Sequence, residues 1–432
     1  MPDEPSTSDS RPSAADELDE KKSPSQPPPA ENPWATRPNG GLRAWLQVAG
    51  SFFLAFNTWG MINTFGVYQT YYESGQLFKT SSSNISWIGS IQAFLLLLVG
   101  ALAGPIYDAG YFRPLLFVGT FLVVFGQMMT SLVHEFWQAL LAQGFCIGIG
   151  AGCLFVPSVA ILPTYFTSKM PLAVGIAASG SSLGGLVYPI AFQRLLQQIG
   201  FGWATRVLGF LFLATLMIPI ALMRVRILPP KKRELWDWQA FKEPQFVIFA
   251  VSLLIGFMGL YVPFFYIQFF AETRNITEGD LAFYLLAILN AGSVFGRILP
   301  NFVAGYLGPM NMLVFCVTIT AILIWTLLSV HTLGGVVVFC LIFGFFSGTF
   351  VSLPPTVFVS LTKNHAMIGT RMGMGFSIIS LGALAGTPIA GAILGDHGFG
   401  AVWNFSAAMV IASGVGVTIA RFFENKDPKA KV

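Results

Sequence analysis

The chain has 432 residues, of which 54% are hydrophobic and only 10% are charged, and its formal net charge is +4. Soluble chains usually carry about 25% charged residues, so this composition excludes an ordinary soluble protein and indicates one that crosses a lipid bilayer several times. The Lys and Arg residues lie in connections between apolar segments rather than on one groove-facing surface, which argues against a nucleic-acid partner.

Residues 1–42 are rich in Pro, Ser, Asp and Glu and contain hardly any large apolar side chains. A segment of this composition cannot bury enough surface to become ordered, so we expect a disordered cytosolic N-terminal tail. No short apolar core follows a basic start, and a cleavable signal peptide is therefore not expected. The first apolar segment must then direct insertion itself.

Twelve apolar segments of bilayer-crossing length follow this tail. Their approximate bounds are 45–71, 85–107, 113–133, 137–162, 170–194, 204–224, 245–270, 281–302, 310–330, 334–360, 366–394 and 400–422. The polar, basic connection 225–244 separates six of them from the other six. The sequence therefore predicts an all-α polytopic membrane protein with twelve transmembrane helices, in two six-helix halves at 43–224 and 245–424, with a cytosolic linker at 225–244 and a cytosolic tail at 425–432.

The distribution of positive charge predicts the orientation of these helices. With the N-terminus inside, twenty of the 24 Lys and Arg residues fall on the cytosolic side, and the reverse orientation would invert that bias. We therefore expect cytosolic termini in a multi-pass protein of the plasma membrane, with a vacuolar membrane left open. The outer loops then carry two glycosylation sequons, so Asn84 and Asn275 are candidate glycosylation sites.

The segment 165–191 is unusually rich in small residues, which include Gly180, Gly184 and Gly185, and it also contains Pro189. In a membrane, small residues let two helices approach closely and pack by van der Waals contact. This segment can therefore form a static packing surface, or it can form an interface that moves during transport.

The two halves of the chain echo each other. Residues 188–191 (YPIA) correspond to residues 387–390 (TPIA), and each half contains six apolar segments. Matching elements at half-chain spacing imply a parallel repeat about an axis along the membrane normal, with substrate bound near the midplane between the halves. The echo favours the moving interface, and we predict a gating role for the three glycines and for Pro189.

Several stretches carry a resemblance to a known family. They are 39–45 (NGGLRAW), 63–69 (NTFGVYQ), 143–158, 165–191, 296–300 (GRILP), 371–374 (RMGM) and 386–388 (GTP). The chain resembles the major facilitator superfamily (MFS), and within it the fungal branch of the monocarboxylate porter family. The resemblance covers almost everything after residue 38 and implies the MFS fold and transport by alternating access.

The resemblance also implies a cytosolic gate in which Asp108 and Arg113 pair in one state and part in the other, although loop solvation is an alternative use of these charges. The chain departs from animal lactate-type members at two positions. Asn63 stands nearest to their first-span lysine, and Ser293 stands where they pair an Asp with the eighth-span arginine. The lactate–proton mechanism of those members is therefore not carried over.

Arg297 is the only strong cation well inside an apolar segment. Ionisable residues within a membrane are costly and are functional candidates by default. Its guanidinium could bind a substrate carboxylate through a bidentate fork, or it could be a structural arginine satisfied by helix C-termini. Asn63, Tyr188 and Asn290 are further candidates for a substrate cavity, with hydrogen bonding between helices as the competing use.

The sequence contains no motif that indicates catalysis, a metal or a cofactor. The four Cys residues lie in apolar runs without metal-type spacing. Residues 180–184 match the letters GxSxG but lack the strand-to-helix turn, the His and the acid that a hydrolase needs. No acidic residue is buried at mid-segment, so no proton-carrying side chain is predicted and a proton as coupling ion stays open.

Together these patterns predict a secondary active transporter that moves a small organic metabolite, carboxylate-bearing or amphipathic, by alternating access. The predicted partners are this small-molecule substrate and the lipid bilayer. Uptake of nutrients and efflux of secondary metabolites both occur in fungal members of the family, so the direction stays open. The alternative is a non-transporting membrane sensor, which would show ligand binding without flux.

Overall fold

A computed structural model describes residues 38–167, 169–228, 233–276, 281–362, 364 and 367–427. The regular secondary structure of these residues is entirely helical, as the sequence predicts. Residues 1–37 of the predicted N-terminal tail and residues 428–432 of the predicted C-terminal tail lie outside the described residues.

The helices of the predicted first half are α1 (Leu42–Asn57), α2 (Trp59–Glu73), α3 (Ser82–Asp108), α4 (Phe112–Thr130), α5 (Phe136–Ala139), α6 (Ile147–Ala160) and α7 (Met170–Leu222). A π-helical segment, Leu140–Cys146, joins α5 to α6, and a 3-10 helix, Leu162–Thr164, follows α6. Only Thr58 separates α1 from α2, so these two helices together cover the predicted first span.

The helices of the predicted second half are α8 (Pro244–Leu260), α9 (Val262–Thr273), α10 (Leu281–Leu307), α11 (Pro309–Thr326), α12 (Leu333–Ser352), α13 (Pro354–Leu361) and α14 (Ile368–Glu424). Proline stands in the first turn of both α9 and α13. A proline is tolerated there because the first N–H groups of a helix have no partner within it. Each of these helices continues the span begun by the helix before it.

Glycine turns fold α7 and α14 back on themselves. A straight helix of 53 residues, the length of α7, would measure about 80 Å, far more than the roughly 30 Å hydrocarbon core of a bilayer. Gly200 (φ 74°) and Gly398 (φ 75°) adopt backbone conformations that strain any residue with a side chain. Across the first turn, the rings of Tyr188 and Phe212 lie 4.8 Å apart, so the two parts of α7 are antiparallel.

In the described residues, nine helical stretches are long and apolar enough to cross a membrane. Two of them, α7 and α14, each contain two antiparallel parts, and the pair α1 and α2 forms a further stretch. This segmentation is compatible with twelve crossings, although the number of crossings stays a prediction, as do the boundaries of the two halves.

Within the first half, α7 packs on α1 through two glycines one helical turn apart. A Cβ atom at Gly180 would overlap the carbonyl oxygen of Phe52, and a Cβ atom at Gly184 would overlap that of Phe56. The backbones of the two helices are thus in direct contact, as small residues allow.

The second half repeats this contact between α14 and α8. A Cβ atom at Gly382 would overlap the carbonyl oxygen of Leu254, and one at Gly386 would overlap that of Met258. All four positions lie the same number of residues after their counterparts in the first half. The helix packing thus repeats at a spacing of 202 residues, whereas the sequence echo at 188–191 and 387–390 has a spacing of 199 residues.

Candidate functional site between the two halves

The interface between the two halves has two ends, which we name by the chain features found there. The sequon end contains Asn84 and Asn275, and the linker end contains the connection 225–244 and the start of α14. At the sequon end, a Cβ atom at Gly66 of α2 would overlap the carbonyl oxygen of Phe264 of α9. The halves are therefore closed against each other at this end.

Arg297 lies on α10 near the middle of the interface and is only 3% exposed. Its Nε donates a hydrogen bond to Ser293 Oγ at 3.3 Å, and Ser182 Oγ of α7 donates to the same hydroxyl at 3.1 Å. Among the described residues Arg297 forms no ion pair. The structure thus places a buried, uncompensated cation at a contact between the two halves.

Asn63 and Asn290 face each other across the interface near this cation. Their amide nitrogens donate to the carbonyl oxygens of Ser181 (3.5 Å) and Leu286 (2.9 Å), respectively. Both amide oxygens are buried without a hydrogen-bond partner in the described residues. Gly185 lies between them, since a Cβ atom there would overlap Asn290 Oδ1 and come within 2.8 Å of Asn63 Cβ. Unpaired buried acceptors are costly and indicate a missing donor.

Aromatic pairs from opposite halves frame these polar groups. The rings of Trp59 and Tyr261 stack with centroids 6.4 Å apart, and Phe65 and Phe265 pack at 4.7 Å. The Tyr261 hydroxyl is buried and has no partner among the described residues. Together these groups form a mixed surface of a cation, free hydrogen-bonding atoms and rings, which can accept an amphipathic anion.

The contacts of Tyr188 lie within the first half. Its hydroxyl donates to Asn57 Oδ1 at 2.8 Å, and its ring packs against Phe56 and Phe212 at 4.8 Å each. These partners all belong to the first half, so Tyr188 is a satisfied core residue and is not beside Asn63 and Asn290. Its role in substrate binding stays a prediction without support from these contacts.

The four predicted gating residues divide into two groups. Gly185 faces the second half, whereas Gly180 and Gly184 contact α1 within the first half. Pro189 is buried inside α7. Only Gly185 therefore lies where the halves would move against each other, and the gating role of all four stays a prediction.

The predicted pair of Asp108 and Arg113 is absent from this structure. Arg113 is exposed and donates through Nη1 to the carbonyl oxygen of Ile220. Asp108 instead pairs with Arg233 of the linker, through Nε (2.6 Å), Nη2 (2.8 Å) and the backbone N–H (3.1 Å). The pairing of Asp108 with Arg233 has a simple physical cause, because the linker folds back and brings a bidentate guanidinium to a carboxylate that is almost fully buried. The gating role of Asp108 and Arg113, which was expected to pair in only one state, stays a prediction.

Arg233 reaches both halves at once. A Cβ atom at Gly104 of α3 would lie 3.0 Å from its Cδ, and one at Gly369 of α14 would lie 2.9 Å from its Cζ. The guanidinium therefore sits in a gap that two glycines leave between α3 and α14. Sequence reasoning assigned this residue only to a basic loop, and no local pattern could have revealed its partner.

A second ionic cluster ties the linker to the second half. Arg371 Nε donates to Asp237 Oδ2 at 2.9 Å, and its two Nη atoms donate to the Glu243 carboxylate at 2.8 Å each. A cavity of about 370 Å³ opens beside this cluster, near Trp238. Because both carboxylates already engage the Arg371 guanidinium, the described residues that line the cavity supply no free cation.

The remaining candidate sites stay predictions. Asn84 is exposed in the first turn of α3, and its side chain donates to Thr80 Oγ1 at 2.8 Å. Asn275 follows α9 with φ 51°, and Thr277 of its sequon lies outside the described residues. No group of three or more metal-ligating side chains occurs in the part of the chain that the structure describes.

Comparisons with known proteins agree with this architecture. The family model described as Major Facilitator Superfamily matches residues 48–370. The chain is 50% identical over 403 residues to the MFS-type transporter dbaD of Emericella nidulans, covering 93% of this chain and 91% of that protein. It is 38% identical to the aspyridones efflux protein apdF of the same fungus, over 89% and 82% of the two chains. It is 35% identical to the agnestins efflux protein AgnL12 of Paecilomyces divaricatus, over 88% and 87%.

Proposed function

Because the chain belongs to the Major Facilitator Superfamily and is a membrane transporter rather than an enzyme, we propose that it is a secondary carrier that exports an amphipathic, carboxylate-bearing secondary metabolite by alternating access. Export is favoured over uptake because two of the relatives above are efflux proteins by name. The monocarboxylate-porter branch of the superfamily stays part of this proposal.

The buried, unpaired Arg297 carries the substrate assignment. A lone charge inside a membrane protein needs a counter-ion, and a substrate carboxylate can supply one through a bidentate hydrogen bond. The free amide oxygens of Asn63 and Asn290 can accept hydrogen bonds from hydroxyl groups of the same molecule. The rings of Trp59 and Tyr261 offer an apolar surface for its remaining part.

We further propose that the linker end opens when Arg233 leaves Asp108, while the sequon end opens when the contact between Gly66 and Phe264 parts. The proposed topology has twelve crossings, cytosolic termini and the sequon end outside, in the plasma membrane. In this arrangement substrate enters from the cytosol past the linker and leaves at the sequon end.

The first experiment identifies the substrate. Metabolites inside host cells and in their medium are compared between cells that carry the gene and cells that lack it. An exported compound accumulates inside the cells that lack the gene, and its flux is then measured in proteoliposomes of the purified protein. Ligand binding without flux would favour the sensor instead.

The second experiment tests the binding role of Arg297. In Arg297→Gln the substrate concentration at half-maximal flux should rise roughly tenfold to hundredfold, the usual range for losing a charge-assisted hydrogen bond. Arg274→Gln is the matched control, because Arg274 is exposed at the end of α9. An unchanged half-saturation in Arg297→Gln, with normal expression, would remove Arg297 from the substrate site.

A further inference from the structure

A chain of hydrogen bonds at the sequon end begins at a carboxylate. Glu73, the last residue of α2, is half-buried and accepts from Gln69 Nε2 at 2.8 Å and from Ser82 Oγ at 2.9 Å. Gln69 is fully buried, and its Oε1 accepts from Ser86 Oγ of α3 at 3.4 Å. The carboxylate therefore orients Gln69, and Gln69 in turn orients Ser86.

The chain continues across the interface into the second half. Ser86 Oγ is hydrogen-bonded to the hydroxyl of Tyr266 on α9, which also lies 3.5 Å from the carbonyl oxygen of Thr387 on α14. Ser90 Oγ is hydrogen-bonded to Thr387 Oγ1. The closed sequon end is thus held by hydroxyl groups whose connection leads back to Glu73.

The direction of these bonds depends on the charge of Glu73. An ionised carboxylate only accepts hydrogen bonds, so Gln69 and Ser82 both donate to it. Because Ser86 donates to Gln69, the single proton of the Tyr266 hydroxyl is shared between Ser86 Oγ and the carbonyl oxygen of Thr387. A proton on Oε1, the oxygen that faces Gln69, turns this acceptor into a donor that competes with the Gln69 amide N–H, so the carboxyl no longer fixes the orientation of Gln69 and Ser86.

Among the described residues, few other titratable groups face Glu73. Tyr71 and Tyr72 lie on its own helix, and the Tyr72 hydroxyl donates a hydrogen bond to Gln143 Oε1 at 2.8 Å. Tyr266 faces it from α9. Lys79 lies against Gly75 in the connection to α3, and no cation of the described residues forms an ion pair with Glu73.

The second half contains the same spacing without the network. Gln268 Nε2 donates to Glu272 Oε1 at 3.1 Å, as Gln69 does to Glu73. However, Gln268 Oε1 is buried without a partner among the described residues. The repeat thus supplies a matched carboxylate that is not connected to the interface.

We propose that Glu73 is the proton-binding site of this carrier, and that its protonation releases the hydrogen-bonded seal at the sequon end. The ionised carboxylate holds the sequon end closed, and the protonated one lets it open. This inference rests on the proposed function and deepens it, because the pH at the sequon end would regulate the opening through which substrate leaves. Sequence reasoning missed Glu73 because it looked for acids only at mid-segment.

The test measures opening of the sequon end and needs no substrate. Spin labels are attached to Gln76→Cys and His331→Cys, exposed positions in the two halves, after replacement of the native cysteines. Their distance distribution is recorded by pulsed electron resonance in the purified full chain. On going from about pH 7.5 to about pH 5.5, the ratio of open to closed populations should rise roughly tenfold.

Three variants separate Glu73 from other causes. Glu73→Gln should show the long distance at both pH values, Ser86→Ala should lose the pH response, and Glu272→Gln should behave as the unmodified chain. A pH response that persists in Glu73→Gln or in Ser86→Ala would overturn the proposal, as would its absence in the unmodified chain or its loss in Glu272→Gln. Thermal unfolding of each variant in detergent confirms that it is folded. Failure to export any metabolite would refute the proposed function but leave this test intact.

Discussion

The two ends of the interface between the halves are held in different ways. At the sequon end, backbone contact and hydroxyl groups join the halves directly, with one carboxylate set back in the first half. At the linker end, the halves are bridged by a third element, since Arg233 of the linker pairs with Asp108 while touching Gly369 of α14. We call the neutral contacts at the sequon end the seal and the Arg233–Asp108 ion pair at the linker end the latch. The seal and the latch should respond to different perturbations, so each can be disrupted separately.

The largest effect is expected at the tightest glycine contact between the two halves. In Gly66→Ala, the added methyl group would overlap the Phe264 carbonyl oxygen, and a backbone atom cannot turn aside. The sequon end should remain open and transport should be lost, because overpacking typically costs about 1–3 kcal/mol or more. The measurement is the rate at which an impermeant maleimide labels a cysteine introduced at the sequon end.

Gly373→Ala is the control at the linker end. A Cβ atom there would lie 3.7 Å from Ala101 Cβ, an ordinary contact. Transport and labelling should stay within about twofold of the unmodified chain, in line with a change below roughly 0.5 kcal/mol. Equal loss in both alanine variants would mean that the two ends are packed alike.

The second effect concerns the charged latch. Asp108→Asn or Arg233→Gln leaves one buried charge without its partner, which costs about 3–5 kcal/mol when the pair is fully buried and less here, because the arginine side chain is 20% exposed. The linker end should open more often, and a cysteine placed near Gly369 should be labelled at least tenfold faster. The charge-reversed double variant, Asp108→Arg with Arg233→Asp, should recover part of the loss. Labelling that stays slow in both single variants would show that the pair does not hold this end.

A smaller effect is expected at the cluster around Arg371. The Glu243 side chain is 28% exposed, and Asp237 still compensates Arg371 when Glu243 is replaced. Glu243→Gln should therefore destabilise the docked linker by only about 1 kcal/mol, and high salt should weaken the same contact in the unmodified chain. Limited proteolysis of the linker at low and high salt measures both changes. A salt effect of equal size on labelling at the sequon end would contradict the distinction between seal and latch.

The smallest effect is expected for Arg113→Ala. Arg113 is exposed and contacts a backbone carbonyl rather than Asp108, so its loss should change transport by less than about 0.5 kcal/mol. Flux at several substrate concentrations is the measurement. A loss of flux as large as that in Asp108→Asn would support the pairing of Asp108 with Arg113 that the sequence predicts.

The sequence was sufficient for the helical class, because apolar length is a local property. A lone charge in an apolar segment is also a local property, so Arg297 could be named as a candidate whose role stays a prediction. The sequence also named Asn63 and Asn290, which lie in different halves and both border Gly185 in the structure. It could not indicate the partner of Asp108, which lies 125 residues away in a polar connection without periodicity. Tyr188 shows the opposite limit, because its polarity implies a partner but does not distinguish Asn57 from a substrate.

The glycine turn at Gly200 has a mechanical consequence. One residue joins the two antiparallel parts of α7, so this hairpin has no slack and its parts must tilt as a single lever arm. A tilt of about 10° about the middle of a rod of roughly 30 Å displaces each of its ends by about 2.6 Å, close to half a helical turn. The same construction at Gly398 gives the second half an equivalent arm. A small rotation where Gly185 meets Asn290 would thereby be amplified into a displacement large enough to uncover a passage at the membrane surface.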